Sequence, residues 1–398
     1  MRMLCAILLA AATARADDWP QWLGPTRDGV SPAKVAPWKE APPVAWKAAV
    51  GEGHSSPVVA GGRAYLHHKV KGKDEEEVVA WDAATGAEVW RQSYPRAPFK
   101  SPFGAGPRAT PVVDGPRLYT HGVTGLLTCW EAATGKQLWQ VDTLATFKAP
   151  NLLFGISCSP LVAGELLFLN VGGKGASIVA FAKDSGKTVW SALDDKASYS
   201  SPAILDGRLV ALTHDGLLGI STSDGALLWK FPLVDKLSES SITPLKIGDL
   251  LIASSVTYGS AGVKVDGPTA TAAWTNPALT GYISTPVAGV DGLLYMVTGT
   301  ILGPPAATLR CVEPAGGKIL WSKTGVGQYH AALTRLGDGK LLMLDDAGNL
   351  ALFEPDAKAY KELAKSKVCG KTWAHPALAG GRLYVRDGQE LLALKLGD

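Results

Sequence analysis

Apolar residues along this chain fall in short runs, broken at close intervals by glycine, proline, aspartate and asparagine. Runs of that length, bounded by turn residues and rich in Val, Leu, Ile and Tyr, predict β-strands rather than helices. The pattern also repeats. One phrase reads Ser55-Ser56-Pro57-Val58-Val59, Gly61-Gly62-Arg63-Ala64-Tyr65, Val78-Val79-Ala80-Trp81-Asp82, Thr85-Gly86 and Trp90. It returns from Thr110-Pro111 to Trp139, from Ser159-Pro160 to Trp190, from Ser201-Pro202 to Trp229, from Thr243-Pro244 to Trp274 and from Thr285-Pro286 to Trp321. A seventh copy runs from Ala331-Ala332 to Tyr360, with tyrosine in the tryptophan slot. An eighth starts at His375-Pro376 and stops after Leu394 with no final strand.

Each copy divides into four strands, A to D. Strand A follows the proline, and turns such as Asp114-Gly115 and Asp206-Gly207 lead into strand B. A second turn leads to strand C, and a Thr-Gly or Asp-Gly turn to strand D, which carries the tryptophan. Four strands in a period of about 40–50 residues predict a blade of a β-propeller. The fold class is therefore all-β: an eight-bladed propeller over residues 44–398, preceded by an extension at 17–43. The missing strand of the eighth copy is supplied by Val44-Ala45-Trp46-Lys47, which reads like the Leu138-Trp139 and Leu228-Trp229 strands. Pairing of residues 44–48 with 391–396 closes the ring and is expected to leave no open sheet edge. In the C–D turn, Ala80-x-Asp82-x-x-Thr85-Gly86-x-x-x-Trp90, Asp82 can accept from turn N–H groups and Gly86 supplies a positive φ.

These residues resemble the tryptophan-docking motif of the pyrroloquinoline quinone (PQQ)-like propeller repeat, over nearly the whole chain. The opening Trp19-Pro20-x-Trp22-x-Gly24-Pro25-x-Arg27-Asp28-Gly29 and the closing Arg382-Leu383-Tyr384-Val385-Arg386 resemble the exported BamB-like subgroup. That resemblance implies an envelope protein that assists outer-membrane barrel assembly and binds no quinone. The other subgroup, the quinoprotein dehydrogenases, implies oxidation of alcohols or sugars with PQQ and calcium. It also implies an adjacent-cysteine disulfide and an acidic calcium cluster. The cysteines here are Cys5, Cys129, Cys158, Cys311 and Cys369, none of them adjacent. Catalytic residues are therefore assigned to none, and PQQ is left open only as the alternative cofactor.

Composition narrows the reading further. Hydrophobic residues make up 46% and charged residues 19%, which excludes a disordered chain, and no apolar run is long enough to span a bilayer. Arg2, an apolar core at residues 4–12 and Ala14-Arg15-Ala16 predict an export signal over 1–16, hence a periplasmic or secreted protein. Its removal takes the net charge from +3 to +1, too little to attract nucleic acid. A monomer is expected, with a protein or a small planar or sugar ligand as partner.

The residues just before each Ser/Thr-Pro should rim one mouth of the central funnel. They include His54, Arg108, Asn151, Phe154, Tyr199, Tyr282, Tyr329, His330, Trp373 and His375. Flat aromatics with an arginine can stack and orient a planar ligand or a sugar. His54, His330 and His375 fall on neighbouring blades, but their offsets from the proline differ, so no metal is assigned. His67, His68, His121 and His214 are expected at the surface, Asp74 to Glu77 at a solvated hairpin tip, and 358–367 as an irregular or helical excursion. Cys129 and Cys311 share a strand-C slot and are expected to be small buried hydrophobes.

Overall fold

The computed structural model describes residues 17–299 and 306–396. The expected export signal lies outside the described residues. Eight four-stranded antiparallel sheets follow one another along the chain. Blade 1 is typical: Val58–Ala60, Arg63–Lys69, Glu75–Asp82 and Glu88–Pro95. Blade 8 holds Ala377–Ala379, Arg382–Arg386 and Glu390–Lys395, and its fourth strand is Val44–Ala49. Trp46 pairs with Ala393 and Ala48 with Leu391, the closure expected from the repeats. Closure covers only the edge of Glu390–Lys395, however. The outermost strand of every blade still carries a free edge, which corrects the expectation of none. Among the described residues the one α-helix, Thr143–Phe147, is a single short turn between blades 2 and 3.

Two hydrogen-bond systems explain why the repeat keeps its polar letters. The first circles the channel. Ser56 N–H donates to Thr110 Oγ1 (3.2 Å), Thr110 N–H to Ser159 Oγ (2.9 Å) and Ser159 N–H to Ser201 Oγ (2.9 Å). Thr243 N–H donates to Thr285 Oγ1, and His375 N–H of blade 8 donates to Ser56 Oγ of blade 1 at 2.9 Å. The hydroxyls of Ser56, Thr110, Ser159, Ser201 and Thr285, each just before a proline, thus satisfy a backbone donor of the preceding blade that would otherwise be buried without a partner.

The second system runs around the outside. The indole N–H of Trp46, on the strand that completes blade 8, donates to Ala83 O in the C–D turn of blade 1. Trp90 donates to Ala132 O, Trp139 to Lys183 O, Trp190 to Thr222 O, Trp274 to Pro314 O and Trp321 to Asp356 O, each one blade onward. The turn glycine receives the ring. Gly86 has φ +75°, and a Cβ there would sit 2.6 Å from the Trp46 indole. Strand C must be small where it faces the tryptophan. Cys129 pairs with Trp139 and Cys311 with Trp321, while Gly219, whose Cβ would lie 2.1 Å from Trp229, fills the same slot in blade 4. Both thiols are buried, and burial pushes them up to about 12 and about 11. Trp229 alone among these indoles has no acceptor. It faces blade 5, whose C–D hairpin turns directly at Asp266-Gly267 without the docking turn.

Four local expectations are corrected. Tyr360 does not occupy the tryptophan slot: Ala364 takes that register opposite Leu352, and Tyr360 packs on Phe353 and on Trp321 of blade 6. The surrounding 358–367 segment forms a strand, Lys361–Lys367, rather than an excursion. Asp74 lies at an exposed hairpin tip as expected, but Glu76 and Glu77 do not, because the long strands of blade 1 carry Glu76 inward between blades 1 and 2. There Glu76 is fully buried and accepts from Tyr94 Oη (2.7 Å) and Val123 N–H (3.0 Å), with His67 Nε2 at 3.3 Å. His67, His68 and His121 are correspondingly buried rather than at the surface, since their strand-B positions face the neighbouring blade.

Candidate functional site

Strand A of each blade starts at the hydroxyl ring, so the connections before it converge on the axis. Their aromatic side chains form a continuous arc. Tyr199 meets Phe154 at 5.6 Å between ring centroids, Phe154 meets Phe103 at 5.6 Å, and Phe103 meets Trp373 at 5.2 Å. His54 stacks on Trp373 at 5.2 Å, and Tyr329 meets it edge-on at 5.9 Å. Within the arc lies a cup of about 120 Å³ walled by His54, Phe103, Arg108, Phe154, Tyr199, Tyr282 and Trp373, with serines 157, 159, 201 and 241 around its base. An outer chamber of about 610 Å³ adjoins it and shares His54, Phe103 and Trp373 as a common wall.

The floor of the cup is Trp22, which comes from the N-terminal extension. This segment is not a free lead-in. Trp19 bridges to Val59 in blade 1, Pro20 O accepts from Val113 in blade 2, and Arg27 donates to Ser159 O and Pro160 O in blade 3. Trp22 Nε1 donates to Thr243 Oγ1 in blade 5 at 2.8 Å, and Ser31 N–H to Arg335 O in blade 7. Gly29 lies against Val287 in blade 6, and both Trp19 and Trp22 contact His375 in blade 8. A stretch that touches seven blades in so few residues must lie across the axis. It stoppers the channel and turns a funnel into a blind cup. Arg27 is the bolt: its guanidinium is buried, and burial lowers it to about 10.

The expected funnel residues therefore divide. His54, Arg108, Phe154, Tyr199, Tyr282 and Trp373 come together in the cup, and Tyr329 lines the outer chamber. Asn151 is exposed and shapes its own loop, accepting from Leu152 N–H and donating to Val123 O. His330 is buried behind the wall on Ser284 Oγ (2.7 Å), and His375 lies under the stopper with Nε2 3.0 Å from Leu333 O. Among the described residues no group of three His, Cys, Asp or Glu is placed to hold a metal ion. Trp22 and Phe103 escaped the sequence reading because neither precedes a Ser/Thr-Pro that opens a strand A; Phe103 follows Ser101-Pro102, which opens no strand. The one available signal for Trp22 was a lead-in dense in tryptophan and glycine yet without any strand pattern.

Arg108 is the charged group of the cup. It donates to Ser101 Oγ and to the carbonyls of Phe103, Gly104 and Gly106, and among the described residues it has no ion-pair partner. Burial lowers it to about 10. Burial likewise lowers His54 and His121 to about 4 and His68 and His330 to about 3, so these imidazoles are neutral in the folded chain. Unfolding releases them to the ordinary value near 6.5, so the unfolded chain binds more protons as pH falls below that value. The stability they contribute is complete above about pH 6.5 and is lost toward pH 4, each group adding up to about 1.4 kcal/mol per pH unit in that window. Urea midpoints are accordingly expected to be flat between about pH 7 and 8 and to fall steeply below about pH 6. Midpoints that hold or rise toward pH 5 would show these histidines to be accessible in the folded state.

Geometry thus defines an eight-bladed propeller whose channel is stoppered by its own N-terminal segment and whose open end is an aromatic cup. The family described as outer membrane protein assembly factor BamB matches residues 74–323, more than half of the sequence, and the chain belongs to it. The Yersinia pestis outer membrane protein assembly factor BamB is 23% identical over 71% of this chain and 72% of its own length. The quinoprotein alcohol dehydrogenase PedH of Pseudomonas putida is 31% identical over 33% of this chain, and the match spans only 24% of that dehydrogenase. The crystal structure of the quinohemoprotein alcohol dehydrogenase from Comamonas testosteroni superposes with a TM-score of 0.72 at 13% identity, covering 98% of this chain and 82% of the other. At that identity the likeness is one of fold alone. Among the described residues no helix is long and apolar enough to cross a membrane.

Proposed function

We propose that this chain is an exported, non-catalytic scaffold of the cell envelope that works by binding a partner. The family match to an outer membrane assembly factor over residues 74–323 carries this reading. The chemistry of the cup supports it. Its flat walls and Arg108 suit a flat or anionic ligand, but the acids nearby are committed elsewhere. Asp235 is buried and holds its own loop through Leu237 N–H, Glu239 N–H and Thr257 Oγ1. Glu239 lies beside Tyr282, where burial and the nearby Asp235 charge raise its carboxyl. Calcium wants several oxygen ligands at once, and these residues do not fit it. No step through PQQ or calcium is therefore assigned.

A second reading, a PQQ-dependent oxidoreductase acting on alcohols or sugars, is favoured by the local match to the Pseudomonas dehydrogenase and by Arg108 itself. One set of measurements separates the two. Natively purified protein is expected to show no quinone by absorbance or mass spectrometry, and no dye-linked alcohol oxidation after addition of PQQ and Ca²⁺. Cross-linking in intact cells is expected to capture a defined envelope protein. Oxidation that needs added PQQ and disappears in Arg108→Ala would overturn the scaffold reading.

A further inference from the structure

We propose that cup and outer chamber form one docking site for the C-terminal end of a polypeptide. An aromatic last side chain enters the cup, its terminal carboxylate meets Arg108, and polar or basic residues before it lie in the outer chamber. This rests on the partner-binding reading above and names the chemistry of the partner.

Three observations carry it. The first is Arg108. A guanidinium withdrawn from water, hydrogen-bonded only to carbonyl and hydroxyl oxygens and offset by Glu52 only at longer range, has its charge incompletely compensated, which is costly unless an anion completes the site. Its planar fork also suits a carboxylate better than any other common group. The second is the shape and lining of the cup. Trp22 closes its base, and Phe154, Tyr199, Tyr282 and Trp373 offer flat faces, so the fitting group is one aromatic ring rather than a through-running chain. Leu153, next to Phe154, is 68% exposed and adds an apolar lip at the mouth.

The third is the reversal of charge outside the cup. Among the described lining residues the outer chamber carries Glu52, Asp345, Asp346 and Asp387 against Lys371, with Arg386 buried behind Asp387 and Glu52. These carboxylates are fixed in place: Asp346 accepts from Tyr329 N–H at 2.6 Å, Asp387 from Gly370 N–H at 2.9 Å, and Glu52 from Ala105 N–H at 2.7 Å. A ligand that is anionic at its tip and cationic or polar behind it matches this order. A free aromatic acid would fill the cup and leave the larger outer chamber without a role. Charge order of this kind selects partners and orients their approach.

The test uses the mature chain and a fluorescein-labelled peptide Lys-Gly-Lys-Gly-Phe with a free C-terminal carboxylate, read by fluorescence anisotropy. Beside it run the same peptide as a C-terminal amide, a version ending in Ala, and unlabelled phenylpropionate as competitor. The free-acid Phe peptide is expected to bind, and the amide and Ala versions to bind about tenfold or more weakly, the range for losing a charge-assisted contact. Arg108→Gln, with melting behaviour checked, is expected to erase the difference between acid and amide, and Trp22→Ala to weaken the Phe peptide alone. Equal binding of acid and amide, or no anisotropy change up to about 1 mM peptide, would overturn the proposal without needing any variant. Competition by phenylpropionate as effective as by the unlabelled peptide would overturn it in favour of a small aromatic acid. An envelope partner that still cross-links when the peptide test fails would leave the scaffold reading standing and place its contact on another face.

Discussion

A chain lacking residues 17–48 is expected to melt at least about 10 °C below the mature protein, or to fail to fold. The deletion removes most of the strand that completes blade 8 and leaves Glu390–Lys395 as an unpaired edge. It takes out Trp46, 8% exposed, whose ring and N–H latch blade 8 onto the Ala83 turn of blade 1. It also removes Trp19, 1% exposed, and the Arg27 bolt. Each buried large aromatic alone is worth about 3–5 kcal/mol, and in a chain of this size each kcal/mol moves the melting temperature by roughly 2–4 °C. A second deletion, of residues 17–40 only, separates the two contributions: it keeps the closing strand and empties the channel. Differential scanning calorimetry of both variants gives the answer. Unchanged melting of the longer deletion would mean that the ring does not depend on its N-terminal strand.

The second large effect concerns the outer latch. Trp90→Ala is expected to destabilise the chain by about 3–5 kcal/mol, since it empties a site packed against Tyr65 and the Gly135 turn and strips a donor from Ala132 O. Trp373→Ala is expected to cost less than half of that, because Trp373 is only partly buried and walls a cavity instead of joining two blades. Urea unfolding of the two variants side by side decides the matter. Equal losses would mean that Trp373 holds the ring together and is not free to serve a ligand.

The contrast between these two tryptophans marks where sequence legibility stops. Trp90 was readable because it recurs: Trp139, Trp190, Trp229 and Trp321 likewise stand four residues after a turn glycine, and the same physical demand acts in each of these blades. Trp373 was readable only through its place beside His375-Pro376. His330 and His375 have equivalent places, yet they point away from the cup and spend their nitrogens on Ser284 and Leu333. A position relative to the proline fixes height along the axis but not whether a side chain turns into the cavity or behind its wall. The Tyr360 slot failed for a related reason. One aromatic resembles another in sequence, while register is set by the hydrogen-bond ladder, which puts Ala364 opposite Leu352.

Sequence by itself therefore determined what repeats: eight blades, the closing strand, the docking turn and its glycine, and the shared strand-C slot of Cys129 and Cys311. Each of these follows from contacts between neighbours in a periodic array, so the requirement is written again in every period. Only the tertiary structure decided what happens once. The path of residues 19–31 across the axis, Trp22 as a floor, Phe103 in the arc and Glu76 buried between two blades all depend on segments far apart in the chain meeting at one place. A contact made a single time leaves no period to read. Its physical cause, the need to fill an axial hole and to pair buried charges, becomes visible only when the ring has closed around it.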